Sequence, residues 1–172
     1  GRCVIAVDSD DVTVNALYRS LRADGVDNVI PLVMDLTDPS PARGWRGKER
    51  TAFTDRGTPE LVLALALVHH LALGANVPLP EVVSWLRSLG GTLIVEFVEP
   101  HDPMAKQLLA NKPAGLFPDY RVDAFEQHLH GGAVCRDAGA GRGALGKIAH
   151  PLQGDCECVR EIVVLRMRDR RP

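Results

Sequence analysis

A chain of 172 residues is long enough for one domain built on a single sizeable core. Its hydrophobic fraction of 45% and charged fraction of 24% match an ordinary globular chain, which argues against disorder throughout. A formal net charge of −2 supplies no electrostatic reason for a nucleic-acid or membrane partner, and no apolar run reaches the roughly 18 residues that a membrane span requires.

Residues 3–7 (CVIAV) form a short apolar run that ends at Asp8, the pattern of a strand buried on both faces of a parallel sheet. Asp10 and Asp11 then precede Val14, Leu17, Tyr18 and Leu21, which share one face at helical spacing. Acidic residues at that start suit the helix dipole, and Gly25 supplies a stop. Residues 28–34 (NVIPLVM) read as a second strand ending at Asp35; Pro31, which has no N–H for a ladder, argues for a sheet edge. Residues 36–59 are polar and rich in Gly, Pro, Arg and Asp, a long connection of the kind that is functional or mobile.

The run 61–67 (LVLALAL) is the third predicted strand, with Pro59 before it and His69-His70 after it favouring strand over helix. A helix over 80–89 follows, stopped by Gly90-Gly91, and residues 92–98 (TLIVEFV) are the fourth strand. Short helices are expected over 103–109 and 122–129, a Gly-rich break over 131–146, and a final strand over 160–167 (REIVVLRM). This alternation predicts an α/β fold with a mostly parallel sheet, helices on both faces and its strand-to-helix loops along one edge. Cys3, Cys135, Cys156 and Cys158 make a poor disulfide framework, and no charged segment followed by an apolar stretch opens the chain. A cytoplasmic location is therefore expected.

In open α/β sheets ligands bind beyond the carboxyl ends of the strands. Asp8 ends its strand in AVDSD, where a carboxylate can accept from the vicinal hydroxyls of a ribose; equally it can cap the helix that follows. Asp35 ends the next strand in VMDL. It can accept from an exocyclic amine such as that of adenine, with Met34 and Leu36 on the ring, or simply start a local turn. His69 and His70 follow the third strand, where a neutral imidazole can take a proton near neutral pH or serve as a hydrogen-bonded strand end. Adjacent histidines diverge, and with no H-x-x-x-H or CxxC partner they, like Cys156-x-Cys158, are not read as a metal site. Glu96, Glu99 and His101 can face a substrate or form a solvated loop. Trp45 can belong to a lid or anchor a loop, and Arg43, Arg46, Lys48 and Arg50 make a small basic cluster. Gly139, Gly141 and Gly143 do not open a helix after a strand, so they fail the context of a phosphate loop.

Two strands ending in Asp across a helix, followed by LVLALALVHHL and VPLPEVVSWLRSLGGTLIVEFVEPHDPM, resemble the class I S-adenosylmethionine-dependent methyltransferases. The likeness is nearest to a bacterial nodulation-protein-like subgroup, which NALYRSLRADG and PSPARGWRGKER also fit, and it covers residues 3–129. It implies a Rossmann-like seven-stranded sheet and S-adenosylmethionine as cofactor. Asp8 with Ser9 would lie on the ribose and Met34, Asp35 and Leu36 at the adenine. Ala64 and Ala66 would line the methionine side, with His69 and His70 at the transfer point. The family's first strand, glycine turn and helix have no counterpart here, and its final hairpin is replaced by the Gly-rich stretch before residue 158.

The chain is thus expected to be a single partial methyltransferase domain, with a core over 1–130 and a Gly-rich segment and last strand over 131–172, belonging to a longer enzyme. Its acceptor, a small molecule or otherwise, is not specified by these residues. Asp8 would serve the ribose of a nicotinamide-dependent oxidoreductase as well, although a Tyr-x-x-x-Lys pair is missing. A non-catalytic, truncated binding module is the third reading.

Overall fold

The computed structural model describes residues 3–129 and three further strands, Ala133–Cys135, Ala144–Ala149 and Glu161–Leu165. The chain opens with β1 (Cys3–Asp8) and α1 (Asp11–Ala23). Asp10 is the N-cap of α1: its Oδ1 accepts the amides of Val12 and Thr13 at 3.0 and 3.4 Å, satisfying donors that the first helical turn leaves without partners. Strand β2 (Val29–Val33) follows, then β3 (Leu61–Ala64), α2 (Leu79–Ser88) and β4 (Thr92–Phe97). Two short helices, α3 (Pro103–Leu109) and α4 (Val122–His128), precede β5 (Ala133–Cys135), β6 (Ala144–Ala149) and β7 (Glu161–Leu165).

Among the described residues the strands form one seven-stranded sheet in the order β2-β1-β7-β3-β4-β6-β5. The first five run parallel to their neighbours, whereas β6 is antiparallel to β4 and β5 to β6. Strand β2 takes the edge, where Pro31 lies opposite Ala6 with its missing N–H harmless. This is an α/β fold of the expected Rossmann-like kind.

Three features differ from the sequence reading. Strand β3 stops at Ala64 rather than Leu67, because the backbone turns sharply at Ala66. The stretch read as irregular after 131 contains the antiparallel pair β5–β6, which extends the sheet beyond β4. No strand is left unpaired between β1 and β3: β7 lies there, parallel to both, with Val163 opposite Ile5 on one side and Val62 on the other.

The core follows from alternation and helical spacing. Leu93, Val95 and Phe97 of β4 are buried in turn, while Val82, Val83 and Leu86 on one stripe of α2 join them in a single apolar cluster. Phe97 stacks on Tyr120 with ring centroids 4.8 Å apart and meets Phe125 of α4 at the same distance. Each large side chain buried this way contributes roughly 1.5–3 kcal/mol.

Gly91 makes the turn from α2 into β4 possible. Its φ is +69°, and a Cβ there would collide with the carbonyl of Pro59. A Gly91→Ala variant should therefore lose more than about 2 kcal/mol of stability, since positive φ and a backbone clash act together. Urea unfolding monitored by Trp85 fluorescence would check this, and an unchanged midpoint would contradict the turn geometry.

Candidate functional site

The carboxyl edge of the parallel strands is where the register gathers the polar side chains. Val7, Leu165, Ala64 and Val95 lie in one row across β1, β7, β3 and β4. Asp8 and Glu96 are each one residue farther toward that edge. Strand spacing near 4.8 Å separates the tips of β1 and β3 by about 10 Å.

Asp8 is only 6% exposed. Its Oδ1 accepts the Asp10 amide at 2.9 Å, and its backbone carbonyl accepts the Met34 amide at 3.0 Å, joining the tips of β1 and β2. Helix capping thus falls to Asp10 rather than Asp8. Among the described residues no hydrogen bond reaches the second carboxylate oxygen of Asp8. Ser9 follows at the tip. Asp35 uses Oδ1 to accept both the amide and the hydroxyl of Thr37, at 2.9 and 2.6 Å, the local turn that its position allowed. Leu36 is buried in the core and Met34 packs partly against it. The structure therefore brings Asp8, Ser9, Met34, Asp35 and Leu36 to two adjoining strand ends. Beneath them, Met34, Ile5, Leu32 and Phe53 help line an apolar cavity of about 400 Å³ on one face of the sheet.

Ala64, the last residue of β3, is fully buried. Two residues on, Ala66 has φ +49°, a left-handed conformation uncommon for a residue with a Cβ. The Glu96 carboxylate holds it there, Oε2 accepting the Ala66 amide at 2.8 Å. The sequence reading singled out Glu96 as able to face a substrate; in the fold it fixes this turn. Alanine carries no signal of positive φ, so the bend was invisible in the sequence.

The turn delivers His69 and His70 into a helical segment that continues as a π-helical turn, His70–Gly74. Both imidazoles are buried, 2% and 7% exposed, with ring centroids 4.2 Å apart. Among the described residues His69 Nδ1 has no hydrogen-bond partner. Burial, reinforced by His70 and opposed by Asp102, lowers the His69 pKa from 6.5 to about 4, so its ring is neutral at physiological pH.

Tyr120 escaped the sequence reading because a lone tyrosine in a turn-rich stretch has no motif around it. It is buried, donates its hydroxyl to the Val98 carbonyl at 2.7 Å, and burial holds its phenol well above the usual range. With Ala72, Val77, Leu79, Phe117 and Asp119 it borders a cavity of about 570 Å³ beside the His70–Gly74 turn.

The remaining candidates lie at the surface or outside the described residues. His101 Nδ1 lies 2.9 Å from a carboxylate oxygen of Glu99 at the surface. Trp45 is 79% exposed in the short turn Trp45–Gly47, and Arg43, Arg46, Lys48 and Arg50 are exposed around it. Gly139, Gly141, Gly143, Cys156 and Cys158 lie outside the described residues. Among the described residues no group of three or more His, Cys, Asp and Glu side chains could hold a metal ion, and no helix is long and apolar enough to cross a membrane.

Over 126 residues, 73% of its length, the chain is 39% identical to the nodulation protein NoeA of Rhizobium meliloti (strain 1021). It spans about a quarter of that relative, 26%. No protein-family model matches the chain, and no solved structure does.

Two consequences can be measured. Glu96→Ala strands the Ala66 amide and should cost about 1–3 kcal/mol, whereas Ala66→Gly should gain about 0.5–1 kcal/mol by relieving the positive φ. Denaturant midpoints of the two variants should move in opposite directions. Unfolded His69 binds a proton below about 6.5 and folded His69 only below about 4. Its contribution to stability is thus full above pH 6.5 and is lost as pH falls through that window, by up to roughly 3 kcal/mol. His69→Leu should flatten this decline between pH 7 and 4; a parallel decline in both proteins would remove His69 as its cause.

Proposed function

We propose that this chain is the nucleoside-binding part of an S-adenosylmethionine-dependent methyltransferase and transfers the sulfonium methyl to a nucleophile. The observation that carries this reading is where buried polarity occurs. Apart from Tyr120, the polar side chains buried among the described residues are Asp8, His69 and His70, and all three gather at the carboxyl edge of the sheet. Burying a carboxylate or an imidazole is costly in a core that is otherwise apolar, and His69 Nδ1 has no hydrogen-bond partner among the described residues. A polar ligand at that edge, where open α/β sheets bind nucleotides, gives those groups a purpose.

The residues present fit the cofactor's demands. Asp8 has one carboxylate oxygen on Asp10 and the other available for ribose hydroxyls. Thr37 fixes the orientation of Asp35, which makes that carboxylate a preset acceptor for the adenine amine, with Met34 beside it. Ala66, bent outward and pinned by Glu96, borders the methionine side. When bound, the cofactor supplies an electrophilic methyl on a positively charged sulfur.

The chain's own residues would supply orientation and a site closed to water. His69, neutral with a pKa near 4, is a poor proton abstractor at pH 7. Its Nδ1, without a partner among the described residues, suits a hydrogen-bond acceptor that aligns an O–H or N–H acceptor substrate. His70, at the start of the π-helical turn, belongs to the same end of the site. The cavity bordered by Tyr120 and Phe117 offers the acceptor mostly apolar walls.

Calorimetric titration with S-adenosylhomocysteine and, in parallel, NADH tests the reading. S-adenosylhomocysteine should bind, and Asp8→Ala should weaken it at least about tenfold, the scale of a lost charged hydrogen bond. Binding of NADH alone would make the chain part of a nicotinamide enzyme. Heat with neither ligand on the folded chain would favour a non-catalytic module.

A further inference from the structure

Residues 36–59, read from the sequence as a functional or mobile connection, are tied down in the fold. Arg43 and Arg50 exchange backbone hydrogen bonds at 2.9 and 3.1 Å, and the Phe53 amide donates to the Ser40 carbonyl at 2.9 Å. The segment held in this way and the β1–β2 pair together line the cavity of about 400 Å³.

The two sides of this cavity differ in character. Its floor comes from the sheet: Ile5 lies opposite Ile30 in register, and Leu32, two residues on, shares their face. Part of that floor is uncovered, since Ile30 is 45% exposed and Val33 beside it on the edge strand is 56%. The polar groups come from the connection, as Ser40, Thr54 and Arg56. Arg56 donates from Nε and Nη2 to the Thr51 carbonyl at 3.3 and 3.2 Å, which fixes the plane of its guanidinium. This side-on grip leaves the end-on pair, Nη1 and Nη2, for a second acceptor. Among the described residues no carboxylate pairs with Arg56.

We propose that this cavity binds a small apolar carboxylate, its head on Arg56 and its hydrocarbon body over Ile5, Ile30 and Leu32. A carboxylate meets a guanidinium fork with two parallel hydrogen bonds. Arg56 is the one charged residue among those described on the lining. A monoanion is therefore balanced, whereas a phosphate dianion would keep unpaired charge against apolar walls. At roughly 30 Å³ for each atom-sized group, the cavity holds about a dozen non-hydrogen atoms. A hydrocarbon body of that size takes Ile30 and Val33 out of water, and each methylene on the floor adds to affinity. The cavity lies on the face of the sheet, beneath the strand tips, so the inference rests neither on methyl transfer nor on any nucleotide at the edge.

Calorimetric titration of the full chain with decanoate, a carboxylate of that size, tests this, with 1-decanol as the uncharged control. Decanoate should bind once per chain, at least about tenfold more tightly than decanol. Arg56 is exposed, so Arg56→Gln should fold normally. It should weaken decanoate about tenfold and leave decanol unchanged. Methyl resonances of Ile5, Ile30 and Leu32 should shift with decanoate, while those of Leu73 and Leu109, which line a different cavity, should not. Equal affinities for decanoate and decanol would overturn the proposal, and are the result expected if the cavity takes any apolar group, such as a side chain of a partner protein. Unchanged decanoate affinity in Arg56→Gln, unshifted floor methyls or the absence of saturable heat would each overturn it as well.

Discussion

The structure depends on one backbone interaction, the parallel ladder that β7 makes on both of its sides. Val163 opposite Ile5 and opposite Val62 marks the middle of that ladder. Without it β1 and β3 would each present an unpaired row, and buried unpaired amides and carbonyls cost about as much as the hydrogen bonds they lack. The β1–β2, β3–β4 and β5–β6 pairings join strands close in sequence, whereas β4–β6 and the two β7 pairings do not. The β1–β7 pairing, Cys3 opposite Glu161, spans the greatest separation of them all. The contact is of high sequence separation, so its loop entropy must be met before any of its hydrogen bonds form.

The candidate site inherits that dependence. The Asp8, Met34 and Asp35 tips belong to the β1–β2 half, stitched together by the Met34 amide on the Asp8 carbonyl. Ala66, Glu96, His69 and Tyr120 belong to the β3–β4 half, stitched by Glu96 and by the Tyr120 hydroxyl. Each half is internally organised by short-range hydrogen bonds. Their separation is fixed by the width of the strand between them. A ligand long enough to touch both halves would bind only when that width is right, which couples recognition at the edge to the integrity of the sheet.

The sequence disclosed the parts whose signal is local. The apolar run ending at Asp8, the edge-marking Pro31, and the stripe Val82, Val83 and Leu86 all follow from pleat, ring closure and helical period, and the fold uses them as the pattern says. Of the two roles the sequence allowed Asp8, the helix cap is taken by the Asp10 side chain, and Asp8 accepts the Asp10 amide instead. What could not be read was non-local. That residues 161–165 enter the centre rather than an edge depends on which strands lack a neighbour, a property of the assembled sheet. The bend at Ala66 depends on a carboxylate thirty residues away. Tyr120 depends on Phe97 and Val98 presenting a ring and a carbonyl together.

Strain and buried polarity both occur along one edge of the sheet, at the tips of β1 and β3. A left-handed alanine, an imidazole nitrogen without a partner among the described residues, and a carboxylate at 6% exposure each oppose folding. Distributed over a surface they would be unremarked; concentrated where the strands end, they are opposed by the apolar cluster of α2, β3 and β4 directly beneath. Sequences are locally consistent wherever only stability matters, so local rules are broken together mainly where a site requires it. The neutral state of His69 follows from the same burial that excludes water. Under the proposed methyl transfer, a group that orients the acceptor by accepting its hydrogen bond would need that combination of an unprotonated nitrogen and a dry setting.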